Sequence, residues 1–421
     1  MSTLRTSTPP PTATRLSNRP AASLGMVTGG YAVTMAVFGT TTSLFLADAV
    51  GASPGLIGTY VTVCAATAVA VSLVVGWSSD RLADRRIVLA AAALAGAAAA
   101  LVFSTVPTYA VVLVTGAVLL SLNEAYISQI FAYVKEFADT TGRELTPFSS
   151  AVRSVFSAGW IVGPPLGLLL LTQFGFGPMY ACAAGLLLVT AVLSRWLFPA
   201  VRVRSERSAA TVPDGVRRPR PGRVLTSVPR RTWLLLAAVV AVNVADQLYL
   251  IDVALYVTQD LGLSATLVGV MAALCAAIEI PLMILVGRVA DRIGRLRVTI
   301  GAAVVAVGFF SLVPLADSPA ALVALQVLNA VWTAVFTTIP LVMVQEEVPG
   351  GSGAVSSLYS VTFPVAQMSA GVLLGLVATQ AGYRSVFWVC VALCALATVL
   401  LVCRAASDRL VDRRATAARP R

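Results

Sequence analysis

A small set of polar side chains sits inside long apolar stretches, and their spacing limits the chemistry open to the chain. One stretch holds Asn123 and Glu124, a second holds Asn243, Asp246 and Gln247, and a third holds Gln326, Asn329 and Trp332. Separations of three and four residues put each of the last two sets on one helix face. Ionisable groups in lipid-embedded helices are costly and usually face an interior path. A carboxylate on such a path can take up and release a proton, which makes Asp246 and Glu124 coupling candidates. Amides, Tyr249 and Trp332 suit a polyhydroxylated solute, because hydroxyls pair with amides and sugar faces stack on rings. The same groups could be hydrogen-bond glue between helices. For Asp246 the cavity role is preferred, since an acid makes poor glue.

Other charges are more ambiguous. Arg153 lies about a turn and a half into the stretch after that of Glu124, on the same side. A Glu124–Arg153 pair would be either a static link or a coupling device that breaks on protonation. Asp252 and Tyr256 extend the Tyr249 stripe toward the helix end, where Asp252 reads as ordinary surface. Glu279, just before Pro281, reads as part of a gate or as a structural acid. Asn329 follows Asn123 by 206 positions, which suggests equivalent places in two related halves.

Absences exclude whole classes of chemistry. The chain has no histidine, so a Ser-His-Asp triad and a His-ligated metal are impossible. Its one lysine, Lys135, precedes Glu136, so no Walker A loop exists. Cys64, Cys182, Cys275, Cys390, Cys394 and Cys403 show neither metal-site pairing nor a disulfide framework. No catalytic residue, metal site or cofactor motif is expected; the partners expected are a small solute, a proton and the lipid bilayer.

The elements that position these residues are helices. The chain is 58% hydrophobic and 12% charged, about half the charge of a soluble domain. Spanning a bilayer takes ~20 apolar residues, and twelve stretches qualify: 25–47, 56–77, 87–106, 109–134, 148–171, 177–198, 232–256, 265–287, 298–316, 319–344, 353–378 and 383–403. With both termini inside, 28 of the 30 basic residues fall in inner segments, as cytoplasmic loops require. This distribution explains the net charge of +11 without nucleic acid. Residues 1–24 read as a disordered cytoplasmic arm, 25–198 as one six-helix half, 199–231 as a basic linker with five prolines, 232–404 as the second half and 405–421 as a cytoplasmic tail.

Two short loops repeat. Gly76, Asp80 and Arg81 recur 211 positions later as Gly287, Asp291 and Arg292, each set after the second apolar stretch of its half. A carboxylate at such a helix end can face a neighbouring helix N-terminus or an arginine, while the glycines permit close helix approach. Such contacts would latch the cytoplasmic side shut and break as the halves rock. Another stretch, Gly159-x3-Gly163-Pro164-Pro165-x-Gly167, is expected to kink its helix while its flanking glycines let helices pack closely, with Gly371-x3-Gly375 as a counterpart.

Twelve helices, a basic central linker and this repeated loop resemble the major facilitator superfamily. The second copy carries that family's loop pattern in full: Gly287, Asp291, Arg292, Gly294 and Arg295. The first departs from it, with Ala83-Asp84 in place of Gly-Arg and Arg85-Arg86 one position late. The Gly159–Gly167 stretch is similar to a motif of many antiporters in the superfamily. Phe131–Glu136, Thr141–Glu144, Phe148–Pro165 and Glu279–Ile284 look like bacterial sugar efflux transporters. The resemblance implies that helices 1, 4, 7 and 10 line a cavity, that sugars or glycosides are exported by proton antiport, and that the protein acts as a monomer.

The sequence therefore reads as an all-α, multi-pass membrane protein of the bacterial plasma membrane. Its twelve helices form two halves of six, with both termini cytoplasmic. The first helix adds little polarity, offering only Tyr31 and Thr40-Thr41-Thr42-Ser43. A multidrug exporter of the same fold is the alternative, and the amides tilt the reading modestly toward sugar.

Overall fold

The computed structural model describes residues 19–79, 84–141, 145–198, 229–347 and 359–417. Among them are twelve helices long and apolar enough to cross a membrane. In the first half these are α1 (Ser23–Ala49), α2 (Pro54–Val75), α3 (Arg85–Thr105), α4 (Tyr109–Thr140), α5 (Val152–Phe174) and α6 (Phe176–Trp196). The second half comprises α7 (Arg230–Asp260), α8 (Ala265–Ile293), α9 (Arg295–Leu315), α10 (Pro319–Glu347), α11 (Thr362–Ala381) and α12 (Tyr383–Ser407). Lipid offers no partner to a backbone amide, so runs rich in Ala, Val and Leu satisfy their backbone internally as helices.

The helices outrun the apolar windows. Helix begins at Arg19, inside the arm expected to be disordered, and α12 continues as helix to Ala417, where a tail was expected. Polar residues beyond the hydrocarbon can prolong a helix that neighbours support, and hydropathy does not register them. The linker expectation falls mainly on 199–228, outside the described residues.

Packing pairs the helices within each half and joins the halves at few places. α1 packs on α5 and α6, and α3 on α6 and α4; α7 packs on α12 and α11, and α8 and α9 on α10. The halves meet through α2 with α11, α5 with α8, and α1 with α7. Each half is wedged by aromatic rings: Phe38, Phe45, Phe103 and Tyr180 in the first, and Tyr249, Phe309, Phe310 and Phe387 in the second.

The interhelix crossings between halves follow the 211-residue register. A Cβ on Gly58 of α2 would run into the Gly371 carbonyl of α11 and lie 2.8 Å from the Gly375 backbone. At the equivalent position of α8, a Cβ on Gly269 would lie 2.9 Å from Pro165 Cα and 3.3 Å from the Pro164 carbonyl of α5. Thr62 Oγ1 also donates across the first crossing to the Met368 carbonyl, at 3.4 Å. Both crossings lie toward the face opposite the termini. There α1 and α7 end in matching π-helical turns, Phe45–Ala49 and Tyr256–Asp260. Gly51 (φ +69°) and Gly262 (φ +64°) then reverse the chain at equivalent points. Gln259 Nε2 donates to Asp48 Oδ1 at 3.0 Å, joining two residues 211 apart at this rim.

The glycines of the Gly159–Gly167 stretch pack closely, as expected of them. α5 is continuous helix through Pro164 and Pro165. Its Gly159 and Gly163 seat against Ala32 and Ala36 of α1, and Gly167 against Val37. Pro164 and Pro165 face Gly269 of the other half. Gly371 and Gly375, proposed as counterparts, face α2 of the other half instead.

Gly58→Leu or Gly269→Leu should overpack a crossing, at a cost of roughly 1–3 kcal/mol, and force that face apart. The expected outcome is loss of transport by folded protein, with greater labelling of a cysteine placed at Asp48. Normal transport by both variants would show that the crossings need not close.

Candidate solute cavity

Two chambers, each of about 290 Å³, meet near the centre of the molecule. The first is lined mainly by α1, α2 and α4 of the first half, with Glu124, Tyr60, Ser43 and Ser121 among its polar groups. The second is lined mainly by α7, α8 and α10, with Asn243, Asp246, Tyr249, Glu279, Gln326, Asn329 and Trp332. Trp160 of α5 and Leu250 of α7 line both. They form the partition between the chambers. No arginine or lysine is among the lining residues of either.

The α7 stripe straddles this partition. Asn243 and Asp246 face the second chamber, whereas Gln247 faces the first. Adjacent residues point about 100° apart, so the one-face reading of Asp246 and Gln247 separates them at a helix on the axis between halves. Asn243 Nδ2 donates to Thr362 Oγ1 of α11 at 3.3 Å. On α10, Gln326 Nε2 donates to the Leu322 carbonyl at 3.1 Å, and its Oε1 accepts from Tyr249 at 3.3 Å and from Asn329 Nδ2 at 2.9 Å. Glu279 Oε1 accepts from Thr337 Oγ1 at 3.3 Å, which places Glu279 in the chamber wall.

Several expectations change. The amide of Asn123 rests on Gly96 and donates to the Ala92 carbonyl at 3.0 Å, tying α4 to α3. Tyr31 donates to the Asn123 carbonyl at 2.8 Å and stacks on Tyr126. Asn123 is thus not the equivalent of Asn329. The ion pairs below set the α4–α10 register at 210, so a spacing of 206 is about a turn out of step. Glu124 and Arg153 do not pair. Arg153 is exposed, with its guanidinium carbon 5.4 Å from the Phe131 ring centroid. Consecutive helices need not turn those faces toward each other. Asp252, read as surface, is fully buried, and neither carboxylate oxygen has a hydrogen-bond partner in the protein. Trp160 was missed because its neighbours Gly159 and Gly163 supplied the stronger packing signal.

The loop motif is displayed at the face of the termini. Gly76 lies in α2's helical extension to Ser79, while Asp80 and Arg81 lie outside the described residues. In the second copy Asp291 and Arg292 are exposed, and a Cβ on Gly287 would meet nothing within 4 Å. The close approach expected of Gly287 is absent in this conformation because the crossings close the opposite face. Arg295 pairs with Glu346 of α10 and more loosely with Asp291, at 3.7 Å. The first half reproduces this with Arg85, which pairs with Glu136 of α4 and donates to Gln129 Oε1 at 2.9 Å. Arg85 and Arg295, like Glu136 and Glu346, differ by 210 positions. The late arginine of the degenerate first copy therefore does the work of Arg295. Asp84 caps α3, accepting from the Arg86 amide at 3.0 Å, and the Arg86 guanidinium holds its carboxyl below the usual range.

Two six-helix halves about a central cavity, closed at one face, define a membrane transporter. The sequence matches the Major Facilitator Superfamily over residues 24–251 and 240–420, and the chain belongs to that family. It is 33% identical over 350 residues to sugar efflux transporter A of Escherichia coli strain K12, covering 83% of this chain and 87% of that protein. It is also 33% identical to sugar efflux transporter B of Salmonella typhimurium, covering 83% and 86%. Among solved structures, the nucleoside transporter NupG superposes with a TM-score of 0.77 at 14% identity, covering 93% of this chain and 99% of that one. The chain is thus a multi-pass protein of the bacterial inner membrane, and a transporter rather than an enzyme.

Asp291 is exposed here, and its ion pair is worth at most about 1 kcal/mol. Asp291→Asn should leave the melting temperature nearly unchanged yet slow transport, if the latch forms in the opposite conformation. Undiminished transport would remove the latch role.

Proposed function

We propose that the chain exports sugars or glycosides by alternating access, with inward proton movement driving the solute outward. The observation that carries this reading is the pair of chambers on either side of the Trp160–Leu250 partition. Each is contributed mainly by one half, each contains at least one carboxylate, and neither is lined by a basic side chain. Acids without a fixed counter-cation can exchange a proton for a solute, and Asp246 and Glu124 are the groups proposed to do so. The carbohydrate reading draws on the amide-rich second chamber and on the names of the relatives above.

The distribution of basic residues supports a cytoplasmic location for the termini. The glycine crossings then close the outer face, and the exposed loop motif marks the cytoplasmic one. That is the conformation in which an exporter would load. Asp80, Arg81, Asp291, Arg292 and Arg295 would secure the cytoplasmic face after the halves rock, and residues 199–231 would tether halves 25–198 and 232–404. One chain contains both chambers, consistent with a monomer.

The test is sugar transport by vesicles reconstituted with purified protein, with and without an imposed pH gradient. Proton-driven accumulation should appear in wild type. In Asp246→Asn it should fall to the level seen without a gradient, while exchange of labelled for unlabelled sugar persists. Equal accumulation with and without the gradient in wild type would exclude proton coupling.

A further inference from the structure

The second chamber contains two buried polar atoms that nothing in the protein satisfies, Asn329 Oδ1 and Trp332 Nε1. Both side chains are nearly inaccessible, at 4% and 2% exposure. They stand three residues apart on α10, and both line the chamber. The orientation of Asn329 is fixed by its neighbours. Gln326 gives its amide hydrogen to Leu322, so its oxygen faces Tyr249 and the Asn329 amide nitrogen. This leaves the Asn329 oxygen as an acceptor without a donor. One turn along, the indole N–H of Trp332 is a donor without an acceptor, held by contacts with Phe310 and Phe336.

Leaving buried polar atoms unpaired is unfavourable, and natural sites that do so commonly complete the bonds with a ligand. We propose that Asn329 and Trp332 form a hydroxyl-reading subsite that takes one hydroxyl, or two adjacent hydroxyls, of a neutral polyol ring. This deepens the sugar-export reading and rests on it. A hydroxyl both donates and accepts, so it satisfies the Asn329 oxygen and the Trp332 N–H together. A carboxylate has no hydrogen for Asn329, and an ammonium has no lone pair for Trp332. Either would leave one buried atom unpaired. Among the described residues, the only fully buried side-chain atom of the first chamber without a protein partner is the Ser43 hydroxyl. A hydroxyl group can itself serve as donor or acceptor, so Ser43 imposes no such selection. The second chamber therefore reads the ring, and the first admits what is attached to it.

The experiment is competition against labelled glucose exchange in proteoliposomes, using the 2-, 3-, 4- and 6-deoxyglucoses. Wild type should be competed at least about tenfold less well by the deoxy sugar lacking the bound hydroxyl. In Trp332→Phe, which keeps an aromatic ring but removes the N–H, that discrimination should shrink to about twofold or less. Asn329→Leu should shrink it likewise. Exchanging the indole for the smaller ring also removes buried contact with Phe310 and Phe336, so the empty Trp332→Phe protein should melt somewhat lower, and the melting curve serves only to show that the variant folds. Sugar exchange with discrimination unaltered in both variants would overturn the subsite and leave the export reading intact. Wild-type vesicles that exchange none of glucose, galactose, maltose and sucrose would overturn the export reading, and the subsite with it.

Discussion

Close backbone contact at Gly58 and Gly269 is the constraint on which the rest of the structure depends. In lipid no hydrophobic force drives one half against the other, so the halves adhere through van der Waals packing and a few interhelical hydrogen bonds. The bonds found here are modest, Thr62 to Met368 at 3.4 Å and Gln259 to Asp48 at 3.0 Å. Backbone-to-backbone approach must therefore supply most of the closure, and it is available only where a side chain is missing. Contacts of this kind have no long-range attraction and no deep minimum. They let a face seal against leakage and still come apart.

The opposite face is built differently. Its charges pair within a half: Arg85 with Glu136, Arg295 with Glu346, and Arg404 with Glu347. Thr232 adds a 2.6 Å bond to Glu347. These pairs tie helix ends together and make each half rigid at the rim where the loop motif is displayed. Rigid halves with weak mutual contacts are the mechanical requirement for rocking, because a motion at one rim must reach the other without bending the helices between.

Much of this was legible in the residues. Twelve apolar runs became twelve helices, and Gln326, Asn329 and Trp332, spaced for one helix face, line one chamber. The failures share a cause. Periodicity reports which residues of one helix lie together, and not how that helix is rotated against its neighbours. Glu124 and Arg153 lie at similar depth on consecutive helices, yet turn apart. Asn123 has the same chemistry as Asn329 and lines the first chamber, but its amide is committed to the Ala92 carbonyl. Asp252 lies near a helix end, and depth alone could not show that it is buried. Trp160 was hidden because glycine spacing explained its segment without it.

The duplication also shows where symmetry is kept and where it is given up. At a spacing of 210 or 211, Gly58 matches Gly269, Asp48 matches Gln259, and Arg85 and Glu136 match Arg295 and Glu346. All of these belong to the closing faces or to the rigidity of a half. In the cavity the same spacing matches Asp246 with Met35 and Glu279 with Ala68, and the equivalence ends. A two-fold scaffold must close evenly on both sides of its axis, or one crossing would leak. A solute has no two-fold axis, so the groups that contact it are free to differ. Broken symmetry within a symmetric frame is therefore the best internal marker of the binding residues, and here it falls on α7, α8 and α10.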